Sequence, residues 1–393
     1  MIRRKIKDAM FQLGAVDWDR RLFDSLIPLP DGTSYNAYLI QGSEKTALLD
    51  TVDPAKTDII MEQLADVAEV DYIVAHHAEQ DHSGSIPHIL AKYPDATVLA
   101  SPKCKQMLID HLHLPENKIK TVSDGETISL GSHTLEFVHT PWVHWPETMC
   151  TYVREEKALF SCDLFGAHLA TSDLFAQDDE RVYEAAKRYY AEIMMPFRSI
   201  IRKNIDKLSL LPIDIICPSH GPAYIHPPFI LDAYKDWISE TPKNSLVVAY
   251  ISMHNSTRIL VDRLVSSCAS KGIFVQQFDL SVTDVGKLAI ALVDAATIVL
   301  GTPTVHVGAH PHVLNAANLA NALRPKLKFA SVIGSYGWAT KAVEQIASAI
   351  GALKVEIIPP VLCKGQPLPH DLDAIENLAN GIYDRHRNAG LLI

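Results

Sequence analysis

The segment Ala75-His76-His77-Ala78-Glu79-Gln80-Asp81-His82-Ser83-Gly84 places three imidazoles and two carboxylates within ten residues. It follows a strand-like apolar run, Asp71-Tyr72-Ile73-Val74-Ala75, and precedes a helix-like one, Ile86-Pro87-His88-Ile89-Leu90. His77, Glu79 and Asp81 alternate, so an extended loop would turn all three to one side, with His82 beside the last. Three further groups of ligand type stand close to strand-like runs. They are His144 in Pro141-Trp142-Val143-His144-Trp145-Pro146, Asp163 after Ser161-Cys162, and His220 in Pro218-Ser219-His220-Gly221. So many ionisable groups packed behind apolar strands would be costly without a cation. The pattern therefore predicts a metal centre assembled from four places in the chain. His88, His113, His133, His139 and His226 have no such company and read as surface or hydrogen-bonded loop residues.

The elements that must position these groups differ between the two parts of the chain. Up to about residue 240, short strand-like runs (46–50, 71–75, 135–138, 158–162, 213–217) alternate with loops rich in His, Asp and Pro. Helical stretches intervene around 181–194 and 200–210, a mixture that suits two half-buried sheets with outer helices. Thr241-Pro242-Lys243-Asn244 is polar and carries a proline, which sets the expected boundary between domains 1–242 and 243–393. Beyond it, strands near 246–251, 273–278, 296–300, 328–333 and 354–358 alternate with helices near 257–270, 285–293, 312–323, 340–350 and 370–386. That is the pattern of a doubly wound, five-stranded parallel sheet.

Ligands of such sheets bind where strands run out into helices. Three turns fit here: Ser252-Met253-His254-Asn255-Ser256-Thr257, Thr302-Pro303-Thr304-Val305-His306, and Ser335-Tyr336-Gly337-Trp338. The hydroxyls and backbone N–H groups of the first suit a phosphate, and the other two could flank a planar ring. There is no G-x-G-x-x-G and no Walker lysine, which argues against a resident NAD and against an ATPase.

Composition narrows the class further. With 393 residues the chain is too long for one core and suits two domains, and no apolar run is long enough for a membrane span. A formal net charge of −10 without a basic block makes nucleic acid a poor partner. The basic start, Met1 to Lys7, is followed by no apolar segment, so no secretory signal is expected. Six scattered cysteines with no C-x-x-C exclude a rubredoxin module within the chain and suggest the reducing cytoplasm.

On these motifs the first part resembles a metallo-β-lactamase-fold domain, and the whole chain resembles a flavodiiron protein over residues 10–390. Zinc hydrolases of that fold read H-x-H-x-D-H; Glu79 in the second position is the flavodiiron form. The resemblance implies an N-terminal metallo-β-lactamase-like αββα sandwich followed by a flavodoxin-like domain. It implies one iron on His77, Glu79 and His144, a second on Asp81 and His220, and Asp163 bridging them. His82 matches a position that is a ligand in some members. Trp145 and Glu147 match the run after the histidine, with an orienting role. The three turns of the second half match the family's FMN site.

The implied activity is four-electron reduction of O2 to water, with NO reduction to N2O as the alternative. The implied donor is a separate rubredoxin or the reduced deazaflavin coenzyme F-420, the latter suggested by the run 359–365. The implied assembly is a head-to-tail homodimer or a dimer of dimers. Two other classes are weighed against this: a dizinc hydrolase, which Glu79 and the flavin half oppose, and a bare electron carrier, which the complete donor set opposes.

Overall fold

The computed structural model describes residues 3–177 and 179–392. The chain forms two compact units, Met1–Ile238 and Ser239–Ile393. In the first, a mixed sheet runs in the order Arg4–Lys7, Met10–Asp17, Thr33–Gln41, Thr46–Leu49, Tyr72–Ala75, Thr97–Ala100, Ile119–Thr121. A second sheet has the order Thr127–Ser129, Thr134–His139, Met149–Val153, Ala158–Cys162, Ile215–Pro218.

Neighbouring residues of the central strands serve opposite faces, as the pleat requires. Leu48, Ile73 and Val98 pack with Ile60, Leu64, Ile86 and Ile89, whereas Leu49, Val74 and Leu99 pack with Phe137, Met149 and Phe160 of the second sheet. Every residue named is buried, so these strands read as continuous apolar runs and not as half-polar alternations. The result is a two-sheet sandwich with helices outside. Thr46–Leu49, Tyr72–Ala75 and Thr97–Ala100 are parallel, as are Ala158–Cys162 and Ile215–Pro218. The carboxyl ends of these strands deliver Asp50, His76, His77, Asp163 and His220 into loops.

In the second unit the strand order is Phe274–Asp279, Ser245–Tyr250, Thr297–Val305, Phe329–Tyr336, Glu356–Ile357, all parallel. This is the flavodoxin-like order. Val247 and Ala249 join one apolar cluster and Leu246, Val248 and Tyr250 the other, so both faces of the sheet are covered. The fifth strand is shorter than the 354–358 run suggested. Pro359 and Pro360 have no N–H to extend the ladder, and pairing with Phe329–Tyr336 resumes only at Val361–Lys364.

A buried imidazole ties the start of this unit to its last helix. The Asn244 amide donates to Gly272 O at 2.9 Å, which turns its carbonyl oxygen to His386 Nδ1 at 2.8 Å. Nδ1 therefore carries the proton, and Nε2 accepts from the Thr297 hydroxyl at 2.7 Å. Burial lowers the His386 pKa to about 4. The unfolded chain thus takes up a proton below about pH 6.5 that the folded chain refuses until about pH 4. Stability is full above that window and falls through it, by about 1–2 kcal/mol at pH 5. In a histidine-labelled sample the His386 Cε1–H resonance should stay at its neutral position down to pH 5. Titration of that resonance near pH 6.5 would refute the assignment.

Candidate metal centre and flavin cleft

The donors singled out in the first unit do meet. His77, Glu79, His144 and Asp163 form one group of mutually close ligand atoms, and Asp81, His82 and His220 form another. In the first, Glu79 Oε2 is 2.9 Å from His77 Nε2 and 3.2 Å from His144 Nε2. In the second, Asp81 lies 3.2 Å from His220 Nε2 and 3.4 Å from His82 Nε2. Asp163 spans the two. Its Oδ2 is 3.7 Å from His77 Nε2 and 3.6 Å from His144 Nε2, while its Oδ1 is 3.1 Å from His82 Nε2 and 3.4 Å from His220 Nε2.

These spacings fit shared cations. Two donors about 2.1 Å from one ion, at right angles, sit about 3.0 Å apart. Both oxygens of Asp81 and Oδ2 of Asp163 are buried without a hydrogen-bond partner, although imidazole nitrogens stand close by. Orphaned carboxylate oxygens buried in the protein call for positive charge. The imidazoles record the same demand: burial opposes charging them, yet the surrounding carboxylates lift His77 to about 9 and His82 and His220 to about 10. Glu79, against the pull of burial, is held well below the usual carboxylate range by His144 and His77. No thiolate belongs to either group, and such an oxygen and imidazole set suits iron.

Local structure aims the ring nitrogens. His77 Nδ1 donates to Glu147 Oε1 at 2.8 Å, which also accepts from Ala78 N at 3.0 Å. His220 Nδ1 donates to Ser34 O at 2.7 Å. Both bonds leave Nε2 free toward the centre. Trp145 stands edge-on to His77 at 4.8 Å. The simple alternation of three ligands on one extended loop does not hold. Glu79 is extended, but Gln80–Ser83 closes a helical turn, so Asp81 and His82 enter from helix. That turn explains how two adjacent residues can both face the second group.

Sequence reasoning missed two supports. Asp50 accepts from His76 N at 2.9 Å and from His76 Nδ1 at 2.7 Å, and His76 Nε2 meets Thr151 Oγ1 at 2.7 Å. An aspartate directly behind a buried strand was the available signal. Tyr189, whose hydroxyl donates to Asp163 Oδ1 at 2.8 Å, carries no sequence signal within its helix.

In the second unit a cleft of about 190 Å³ is lined by Ser252, Met253, His254, Ser256, Thr257, Pro303, Thr304, Ser335, Tyr336 and Gly337, together with Gly365. It sits at the N-terminus of the 15-residue helix Ser256–Ser270. Asn255 takes a left-handed conformation (φ 66°) that turns the chain into that helix. The hydroxyls of Ser252, Ser256, Thr257 and Ser335 beside a helix N-terminus fit a phosphate ester. Thr302 does not line the cleft: it is buried, with its hydroxyl given to Pro303 O and accepting from His310 N. Val305 and His306 lie at the tip of a hairpin, also outside the lining, and Trp338 is 84% exposed.

Residues 33–221 match a family model described as the ODP family beta lactamase. Over 391 residues the chain is 36% identical to a nitric oxide reductase of Moorella thermoacetica, covering 97% of this chain and 98% of that protein. The chain belongs to the flavodiiron protein family. Its fold superposes on rubredoxin oxygen:oxidoreductase of Desulfovibrio gigas with a TM-score of 0.95 at 28% identity, covering 99% and 100% of the two chains. The flavodiiron protein of Giardia intestinalis gives 0.91 at 25% identity, covering 98% and 97%. Flavodiiron proteins are oxidoreductases that carry FMN and a non-haem diiron centre. Among the described residues no helix is long and apolar enough to cross a membrane.

Proposed function

We propose that this flavodiiron chain reduces O2 to two waters at a pair of irons fed by FMN. The observation that supports it best is Asp163, whose two carboxylate oxygens face different donor groups. One iron is assigned to His77, Glu79 and His144, and the other to Asp81 and His220 with His82 as an additional donor, Asp163 being common to both. Glu147 orients His77, and Trp145 packs against it. FMN is assigned to 243–393, its phosphate at 252–257 and its ring beside Pro303, Thr304, Tyr336 and Gly337, which line the cleft. Bound together, the iron pair and FMN supply four electrons, the number one O2 requires.

The chain's own part is to hold donors and exclude water. Glu147 and Ser34 O fix the ring tautomers of His77 and His220. His77, Asp81, His82, Asp163 and His220 are all buried. Electrons come from a separate rubredoxin or from reduced coenzyme F-420, since the chain has no C-x-x-C of its own. A cytoplasmic location agrees with six unpaired, buried cysteines. A head-to-tail dimer pairs each FMN with a partner's irons; a monomer in sedimentation velocity would sink that assembly.

A second reading, reduction of NO to N2O, draws on the 36% identity to the Moorella nitric oxide reductase. Anaerobic stopped-flow of the fully reduced protein against each gas separates the two. The first reading expects one O2 consumed per four electrons with no peroxide released. Faster flavin oxidation by NO, with N2O formed, would favour the second. If neither gas reoxidises the flavin, both fail.

A further inference from the structure

We infer that Tyr189 tunes the metal centre by donating its phenol hydrogen bond to Asp163, which makes it a positioning residue of that site. The inference rests on the reading of Asp163 as a carboxylate shared by two irons. Tyr189 is fully buried, and its hydroxyl is 2.8 Å from Asp163 Oδ1. The same oxygen faces His82 Nε2 and His220 Nε2, which a metal would take as ligands. The phenol is a neutral donor and is not itself displaced when the imidazoles bind metal.

Two features of the backbone exist around this contact. The helix Glu180–Tyr189 passes directly into a wider π-type turn, Tyr190–Met194, a local distortion that occurs often at functional sites. Gly166 leaves room for the ring. A Cβ there would stand 3.3 Å from both Cε1 and Cζ of Tyr189 and 3.0 Å from Asp163 O. Helix, turn and glycine thus converge on one hydroxyl.

A hydrogen bond to a carboxylate strengthens with the charge the carboxylate retains. Asp163 retains more charge between ferrous ions than between ferric ions, which draw its electrons harder. The Tyr189 bond therefore favours the ferrous pair. Its loss should shift the balance toward ferric by about tenfold, or about 59 mV downward per one-electron step.

The test uses the full chain loaded with iron and FMN, with an iron assay before an EPR-monitored redox titration. Tyr189→Phe removes one oxygen and keeps the ring. It should hold two irons, show lower iron midpoints by about that amount, and leave the flavin midpoints unmoved. Gly166→Ala, whose Cβ would crowd the Tyr189 ring at 3.3 Å and Asp163 O at 3.0 Å while retaining the hydroxyl, should move the iron midpoints in the same direction. Unchanged iron midpoints in Tyr189→Phe, or loss of iron from it, would overturn the inference. A wild-type chain that takes up no iron overturns the proposed function and this inference together, and the iron assay distinguishes that case from the others.

Discussion

Asp163→Asn should empty the metal centre and lower O2 consumption by more than about 100-fold while FMN stays bound. The reason lies in how many partners depend on one side chain. Asp163 faces His77 and His144 through Oδ2, and His82, His220 and the Tyr189 hydroxyl through Oδ1. An amide keeps the shape but removes the negative charge and one of the two donor oxygens. It also turns an NH2 group toward imidazoles or cations. Loss of a ligand shared by both ions should exceed the 10- to 100-fold effect of losing an outer support. Metal analysis, oxygen-electrode turnover and flavin absorbance on one sample decide the matter. Two irons with normal turnover in the variant would remove Asp163 from the centre.

Glu79→His should convert the donor pattern to the H-x-H-x-D-H of zinc hydrolases and abolish gas reduction. Glu79 Oε2 stands 2.9 Å from His77 Nε2 and 3.2 Å from His144 Nε2, so it is the carboxylate placed between the two imidazoles of its group. Replacement removes one negative charge and leaves three imidazoles with Asp163. That set is borderline-soft and suits zinc, which has no accessible redox step. Reconstitution with equal iron and zinc should therefore load mostly zinc, with turnover down by more than about 100-fold. A variant that still prefers iron and consumes O2 at the parent rate would show that this position does not choose the metal.

The metal-content part of each prediction does not need the partner assembly, because all the donors involved lie within Met1–Ile238. Both predictions also separate metal chemistry from flavin binding. The cleft lined by Ser252, Thr257 and Ser335 belongs to the other unit and should survive both substitutions.

Much of the architecture was legible because it depends on local repetition. Apolar runs such as Thr46–Leu49 and Tyr72–Ala75, each buried on both faces, announced central strands. In the second half the alternation of strand and helix, with short turns between, announced a parallel sheet with crossovers. Its end was less legible, since Pro359 and Pro360 interrupt the last strand by removing two donors at a sheet edge.

The residue types alone determined that carboxylates and imidazoles, not thiolates, would follow the strands of the first unit. They also determined that hydroxyl-rich turns would follow the strands of the second. Only the tertiary structure decided which atoms face one another. A helical turn carries Asp81 and His82, where spacing suggested extension. Thr302 turns its hydroxyl to its own loop, although its position after a strand matched the cleft. Tyr189 reaches Asp163 from 26 residues away in sequence, through a widened helical turn and the space left by Gly166. The physical reason is common to these cases. Periodicity reports which face of an element is apolar, but the direction of a single polar side chain depends on rotamers, turns and packing contributed by distant parts of the chain.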